Sequence, residues 1–218
     1  MLHHHSHTTE MPVQTEGRLI RWAPYYDLAV NLTTLGQARR LRKMTVDQAL
    51  IKPGDSVLDV GCGTGAVTLA AKIRAGKDGQ VFGIDPAPEM IALARGKAAR
   101  KSLEIDFRVG VIESLPFSDA SINVVTSSLM MHHLPENLKI RGLAEIYRVL
   151  KPGGRLLIAD FMRPTGSFLN HLFIAFTRHQ GLESGIEDLA KLLKDAGFGQ
   201  ITKLEEQILI IGFLRAAK

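Results

Sequence analysis

The chain has 218 residues, 45% of them apolar and 22% charged, with one cysteine, Cys62. That length suits one domain with a full core, and the composition excludes a largely disordered chain. A lone thiol excludes an internal disulfide and fits a reducing, cytoplasmic setting. Lys and Arg exceed Asp and Glu by 27 to 22, a net charge of +5, which favours anionic partners only weakly. The longest stretch free of Asp, Glu, Lys and Arg is 120–135; Ser, Asn, Thr and His interrupt it, so it reads as strand and loop rather than a bilayer span. No cationic start leads into an apolar block, so no signal peptide is expected.

Residues 1–16 are polar and hold His3, His4, His5 and His7. This stretch is either a metal-binding tract or, on the preferred reading, a disordered or vector-derived tail, and it is set aside. A single domain is expected over 17–218, with a helical cap over 17–52 and the core over 53–218. Residues 26–50 read as helix broken near Gly36, with Leu28, Leu32, Leu35, Ala38 and Leu41 at helical spacing and Arg39, Arg40, Arg42 and Lys43 on the polar side. From Pro53 the pattern alternates: strand 57–60, helix 66–74, strand 80–84, helix 88–100 with Pro88 in its first turn, and a half-buried strand alternating through Leu103, Ile105, Phe107 and Val109. A fourth strand spans 122–126. A helical stripe through Leu143, Ile146, Tyr147 and Leu150 stops at the breaker Lys151-Pro152-Gly153-Gly154. A fifth strand follows at 155–160, then a helix through Ile186, Leu189, Leu192 and Leu193 ended by Gly197, and two strands within 201–214 turning near Glu206-Gln207. Such alternation predicts an α/β fold with a doubly wound, parallel sheet, and ligands bind outside the carboxyl ends of its strands.

Two features sit at those ends. Gly61-Cys62-Gly63-Thr64-Gly65 follows the first strand and opens a helix; glycines permit a sharp turn and close backbone approach, and a helix start offers unpaired N–H groups. With Ala66 next, the run also satisfies the looser dinucleotide fingerprint. Asp85 ends the second strand twenty residues after Gly65, where a carboxylate can accept both ribose hydroxyls; the alternative is a turn aspartate before Pro86. Asp59 lies inside the first strand, where a buried carboxylate needs hydrogen-bond donors. It can orient the glycine loop or reach a ligand ammonium through water. A pyrophosphate would gain nothing from it.

VLDVGCGTG (57–65) resembles the first motif of class I S-adenosylmethionine (SAM) dependent methyltransferases. VFGIDPAPEMIALAR (81–95), FRVGVIESLPFSDASINVV (107–125) and EIYRVLKPGGRLLIADF (145–161) continue the resemblance in family order over about residues 25–200. The chain is most similar to the ubiquinone and menaquinone biosynthesis C-methyltransferase branch, on Tyr26-Asp27, the basic helix 36–43 and the KPGG turn. The resemblance implies a Rossmann-like seven-stranded sheet, mostly parallel with an antiparallel C-terminal strand, beneath an N-terminal helical cap. It places the methionine part of SAM against Gly61, Gly63, Thr64 and the turn closed by Gly65, the ribose on Asp85, and the adenine against Met90, Val111 and Ile112. Ser128 lines the pocket, and Tyr26 with the basic helix closes over it; at most one of the four cations is expected to meet the SAM carboxylate. The family often carries Asp or Asn where this chain has Val111, so one polar contact to the adenine amino group, about 1 kcal/mol, is missing, and backbone groups of Ile112 are left to read the adenine edge.

Methyl transfer from a sulfonium is an in-line displacement that needs positioning and exclusion of water more than a base. His132 and His133, after the fourth strand, are weak catalytic candidates whose plainer role is packing; His171 and His179 are weaker. The apolar segment 163–182, with Phe168, Leu169, Leu172, Phe173, Ile174 and Phe176, is expected over the acceptor site, where it lines a greasy pocket or touches a membrane. The expected acceptor is small and lipophilic, quinone-like first and a phospholipid amine headgroup second. Nucleic acid and metal are not expected; a homodimer and peripheral membrane contact stay open. The competing readings are an NAD-dependent oxidoreductase and a catalytically silent SAM-binding protein.

Overall fold

The computed structural model describes residues 23–163 and 185–218. Two helices, α1 (Ala23–Thr33) and α2 (Ala38–Gln48), come first. Gly36, at φ +80°, makes the break between them. Then follow β1 (Ser56–Val60), α3 (Ala66–Ala75), β2 (Gln80–Asp85), α4 (Pro88–Ala99), β3 (Asp106–Val109) and β4 (Ile122–Ser128). A single 3₁₀ turn (Met131–His133) leads into α5 (Glu136–Val149), β5 (Leu150–Phe161), α6 (Ile186–Asp195), β6 (Gly199–Ile208) and β7 (Ile211–Ala217).

The described strands form one sheet in the order β3-β2-β1-β4-β5-β7-β6. The first five are parallel, and β7 runs antiparallel to both β5 and β6. This is the doubly wound sheet that the alternation predicts, with the seven strands and antiparallel C-terminal strand that the resemblance implies. β1 is buried along its whole length, which accounts for its continuous apolar run. Alternate residues of the strands feed two layers. Leu58, Val125, Leu156 and Ile158 pack with α5 and α6, and Val57, Val124, Leu157 and Phe213 pack with α2 and α3. The strand order reverses between β1 and β4, the switch point where a crevice opens at the carboxyl edge.

Three expectations need correction. β3 begins only at Asp106, because its sole ladder partner, β2, first pairs at Phe82↔Asp106. Leu103 and Ile105 still pack on the core, so their alternation reports burial without pairing. The Lys151-Pro152-Gly153-Gly154 run does not separate α5 from β5. The strand starts at Leu150 and absorbs the run as an irregularity in its pairing with β4, held by Gly153 N–H to Lys218 C=O and Lys218 N–H to Gly154 C=O. The β6–β7 turn falls at Leu209-Ile210, closed by the Ile208↔Ile211 pair, not at Glu206-Gln207; Leu209 takes φ +53° although neither turn residue is a usual turn former. Residues 1–16 lie outside the described residues. No helix among the described residues is long and apolar enough to cross a membrane.

One glycine in the sheet marks a close approach. A Cβ at Gly83 in β2 would sit 2.6 Å from the Phe107 ring and 3.1 Å from the Cys62 sulfur. Gly83→Ala is expected to destabilise the protein by about 1–3 kcal/mol through overpacking, read from the midpoint of urea unfolding.

Candidate functional site

The site is built where β1 and β2 end. Gly61, Gly63 and Gly65 hold φ values of +71°, +51° and +78°, a conformation that side chains resist. The N–H groups of Gly61 and Cys62 both donate to the Ile84 carbonyl, at 2.8 and 2.9 Å. Gly63 N–H donates to Asp85 Oδ2 at 2.9 Å, and Ala87 N–H to Asp85 Oδ1 at 3.0 Å. The glycine loop is thus fastened to the tip of β2 through the Asp85 carboxylate. Each oxygen spends one acceptor site on the backbone and retains another. Burial pushes the Asp85 carboxyl up, against the lowering effect of those two N–H groups.

Asp59 lies beneath the loop, 1% exposed. It accepts Thr68 Oγ1 of α3 at 2.6 Å and Thr126 Oγ1 of β4 at 2.8 Å. Burial drives its carboxyl up to about 6, with the charge of Asp85 adding to the shift and the two hydroxyls opposing it.

A third carboxylate, Asp27 of α1, was visible in the sequence only as part of a family signature. It accepts the Thr64 hydroxyl at 2.8 Å and the Lys97 ammonium, and faces the Arg42 guanidinium at 3.6 Å. Burial would raise its carboxyl, but the Lys97 and Thr64 hydrogen bonds and the nearby cations outweigh that and lower it. The cap is therefore latched onto the glycine loop. Of the four basic-helix cations only Arg42 reaches this region. Arg40 donates to Gln37 at 3.2 Å, Lys43 pairs with Asp47 at 2.5 Å, and Arg39 is exposed.

Two adjoining cavities flank the loop. The larger, about 690 Å3 with its open mouth included, is lined by Tyr26, Gly61, Gly63, Asp85, Met90, Val111 and Ile112 among the expected residues, and also by His133. The second, on the cap side, is lined by Tyr26, Asp59, Gly61, Thr64 and Ser128, together with Arg42. Gly65 lines neither: a Cβ there would meet Ala94 and Phe107 at 2.9 Å, so it serves the packing of the first turn of α3. The Tyr26 ring lies against Gly63 and packs with Ala87 and Met90. Its phenol is pushed up by burial first and by the charges of Asp85 and Asp27 next. Sequence reasoning missed Leu129, Met130, Glu113 and Leu134, which complete the walls; they follow irregular backbone, where no periodicity announces a facing side chain.

The two adjacent histidines separate in role. His133 faces the larger cavity. His132 is buried behind it, its Nδ1 2.6 Å from Asp160 Oδ1 and its backbone N–H 3.2 Å from Asp160 Oδ2, with ring centroids 3.9 Å from His133 and 4.7 Å from Phe161. Burial alone would raise Asp160; the charge of His132 and the bonds it makes hold the carboxyl low instead. His171, His179 and the apolar residues 168–176 lie outside the described residues. No group of three His, Cys, Asp or Glu among the described residues is placed to hold a metal ion.

A glycine-rich loop and a strand-end carboxylate meeting at the switch point of a doubly wound sheet define a nucleoside-binding α/β protein. The comparisons narrow that class. Residues 57–154 match a family model described as a methyltransferase domain. The chain is 34% identical over 203 residues to the demethylmenaquinone methyltransferase of Lactobacillus johnsonii, covering 88% of this chain and 82% of that one. It is 39% identical over 154 residues to the arsenite methyltransferase of Halobacterium salinarum, covering 69% of this chain but only 39% of that one. A SAM-dependent methyltransferase of Aquifex aeolicus superposes with a TM-score of 0.68 at 22% identity, over 86% of this chain and 96% of that one, a likeness of fold. The chain belongs to the class I SAM-dependent methyltransferases and is similar to their ubiquinone and menaquinone biosynthesis C-methyltransferase branch. It spans less than two thirds of the length of several curated relatives it matches.

The buried Asp59 makes a pH prediction. Its native carboxyl binds a proton more tightly than the unfolded chain's, near 3.9, so the associated stability is fully present below about pH 4 and is lost as pH rises through about 6. Asp59→Asn removes that loss. Relative to the wild type, the variant's unfolding free energy should rise by about 2–3 kcal/mol between about pH 4 and pH 7, measured by urea denaturation at both values.

Proposed function

We propose that the chain transfers the methyl group of SAM to a small lipophilic acceptor, a quinone-like carbon first. The observation that carries this reading is the Asp85 carboxylate, tied to the glycine loop and facing a cleft with apolar walls. Its two remaining acceptor sites suit a pair of vicinal ribose hydroxyls. Met90, Val111 and Ile112 supply flat apolar contact for a purine. Val111 offers the base no polar group, and backbone at Ile112 is left to read its edge.

Charge favours a sulfonium ligand over a dinucleotide. Asp59 and Asp85 flank the loop, and among the described residues Arg42 is the one Lys or Arg that lines either cavity. Such surroundings repel a pyrophosphate and attract the ammonium and sulfonium of an amino-acid donor. Arg42, at the cap end, is the cation set to meet that donor's carboxylate. The residues therefore fit SAM.

When bound, SAM supplies an activated methyl group on a positively charged sulfur. The chain's own residues then have three tasks. Asp85 and the loop fix the donor's position. Tyr26, Leu129 and Met130 exclude water around the transfer axis. His133, facing the cleft, takes the proton that a hydroquinone-like acceptor loses on methylation at carbon. Leu129, Met130 and Leu134 around that histidine suit a greasy acceptor better than a charged headgroup. An arsenic acceptor is disfavoured because a soft centre seeks thiolates, and the sole thiol, Cys62, is buried with its ionisation pushed well up by that burial.

Calorimetric titration with SAM tests the donor site. Asp85→Ala should weaken binding at least about a hundredfold, since two hydrogen bonds to a charged group are lost at about 1.5–3 kcal/mol each; unchanged affinity would refute the reading. NAD should not bind. Incubation with labelled SAM and a quinol-containing lipid extract tests turnover. A protein that binds SAM but labels nothing is a silent binder. With a labelled product in hand, His133→Ala should lower kcat about a hundredfold with the KM for SAM unchanged; wild-type kcat would remove His133 from the mechanism.

A further inference from the structure

The cap carries a surface that neither the donor site nor the core uses. Tyr25, Leu28 and Leu32 recur every three or four residues along α1, so they share one face, and they are 68%, 56% and 65% exposed; Leu35, in the turn after the helix, is 75% exposed. Large apolar side chains gathered on one face at that exposure mark an interaction site rather than the scattered apolar exposure of any surface. Tyr26, Asp27 and Val30, between them in sequence, line the cap-side cavity.

The flank of this stripe is basic. Residues 23–46 hold a single acid, Asp27, against Arg39, Arg40, Arg42 and Lys43. Asp27 is turned inward to Thr64, Lys97 and Arg42. Arg39, Arg40 and Lys43 are exposed at the start of α2, immediately after Leu35; Lys43 shares Asp47 with Arg74. At the same edge of the sheet, Leu209 and Ile210 form the exposed tip of the β6–β7 hairpin, beyond the end of β5.

We propose that the outer face of α1, with the cationic start of α2, docks the protein on an anionic lipid surface. An apolar helix face beside a row of cations is the pattern of a helix lying in a bilayer interface. A second copy of the chain is a poorer occupant. A two-fold contact sets a patch against itself, which here would gather the Arg39, Arg40 and Lys43 cations of both copies into one interface, and like charges across an interface are penalised. Anionic headgroups complement them instead. Docking also has a geometric consequence. Tyr26, on the inner face of α1, lines the donor cleft, so the cleft would open about one helix diameter, roughly 10–12 Å, from the lipid. The docking inference stands without the quinone reading and explains how a greasy acceptor would arrive.

The test is co-sedimentation of the full chain with vesicles of phosphatidylcholine alone and of phosphatidylcholine with phosphatidylglycerol in equal parts. The wild type should pellet with the anionic vesicles, release as salt rises, and stay in solution with the neutral ones. Leu28→Asp combined with Leu32→Asp, and separately Arg39→Glu combined with Arg40→Glu, should each lower partitioning about tenfold or more. Both should keep the wild type's cooperative urea unfolding, with a similar midpoint, which shows that the fold survives. No binding to anionic vesicles would overturn the proposal, as would binding that both variants leave intact. A wild-type dimer that the leucine variant converts to monomer would also overturn it and assign the stripe to a second copy. None of these outcomes depends on whether SAM or a quinol is the ligand, so failure here leaves the donor-site reading standing.

Discussion

The hydrogen bond from Gly63 N–H to the Asp85 carboxylate joins the two strand ends on which the site stands. It fixes a loop of three left-handed glycines to the tip of the neighbouring strand and holds the carboxylate facing the cleft. The paired N–H groups of Gly61 and Cys62 on the Ile84 carbonyl stiffen the same junction. A loop in which three of five residues are glycine has much conformational freedom to lose. Here it is held where a ligand can approach its backbone closely.

Three carboxylates surround that loop, each satisfied differently. Asp85 takes backbone N–H groups, Asp59 takes two threonine hydroxyls, and Asp27 takes a hydroxyl and an ammonium. Only Asp27 has cations beside it, and only its carboxyl is held low. Asp59 and Asp85 are both pushed up by burial first; the charge of Asp85 adds to the shift at Asp59, and that of Glu89 to the shift at Asp85. Keeping two such acids together lowers native stability, a common condition of functional sites. A cationic ligand against the loop offsets that buried negative charge, so the electrostatics of the loop and the family to which the chain belongs point to the same donor.

The parts of this arrangement that were legible in the sequence are local. A fully buried parallel strand reads as an apolar run, a positive-φ turn reads as glycines, and a strand-end acid reads as Asp before Pro. Contacts that join distant residues were not legible. Asp160 reaches back 28 residues to His132, and Asp27 reaches 37 residues to Thr64 and 70 to Lys97; nothing in the spacing announces either. The split between the histidines also lay beyond sequence, because adjacent residues on a 3₁₀ turn point to different neighbours. The misplaced β6–β7 turn has a physical cause too: strand pairing closed the hairpin over Leu209-Ile210 in spite of their poor turn propensity, while Gln207 pairs with Gly212 and Glu206 falls in an irregularity of the same strand.

The most direct measurement is a crystal structure of the full chain with S-adenosylhomocysteine, the donor's demethylated product. Both ribose hydroxyls should lie within hydrogen-bond distance of the Asp85 carboxylate, the purine between Met90 and Ile112, and the loop backbone at Gly61 and Gly63 against the amino-acid portion. Ligand density elsewhere, or a ribose turned away from Asp85, would contradict that placement.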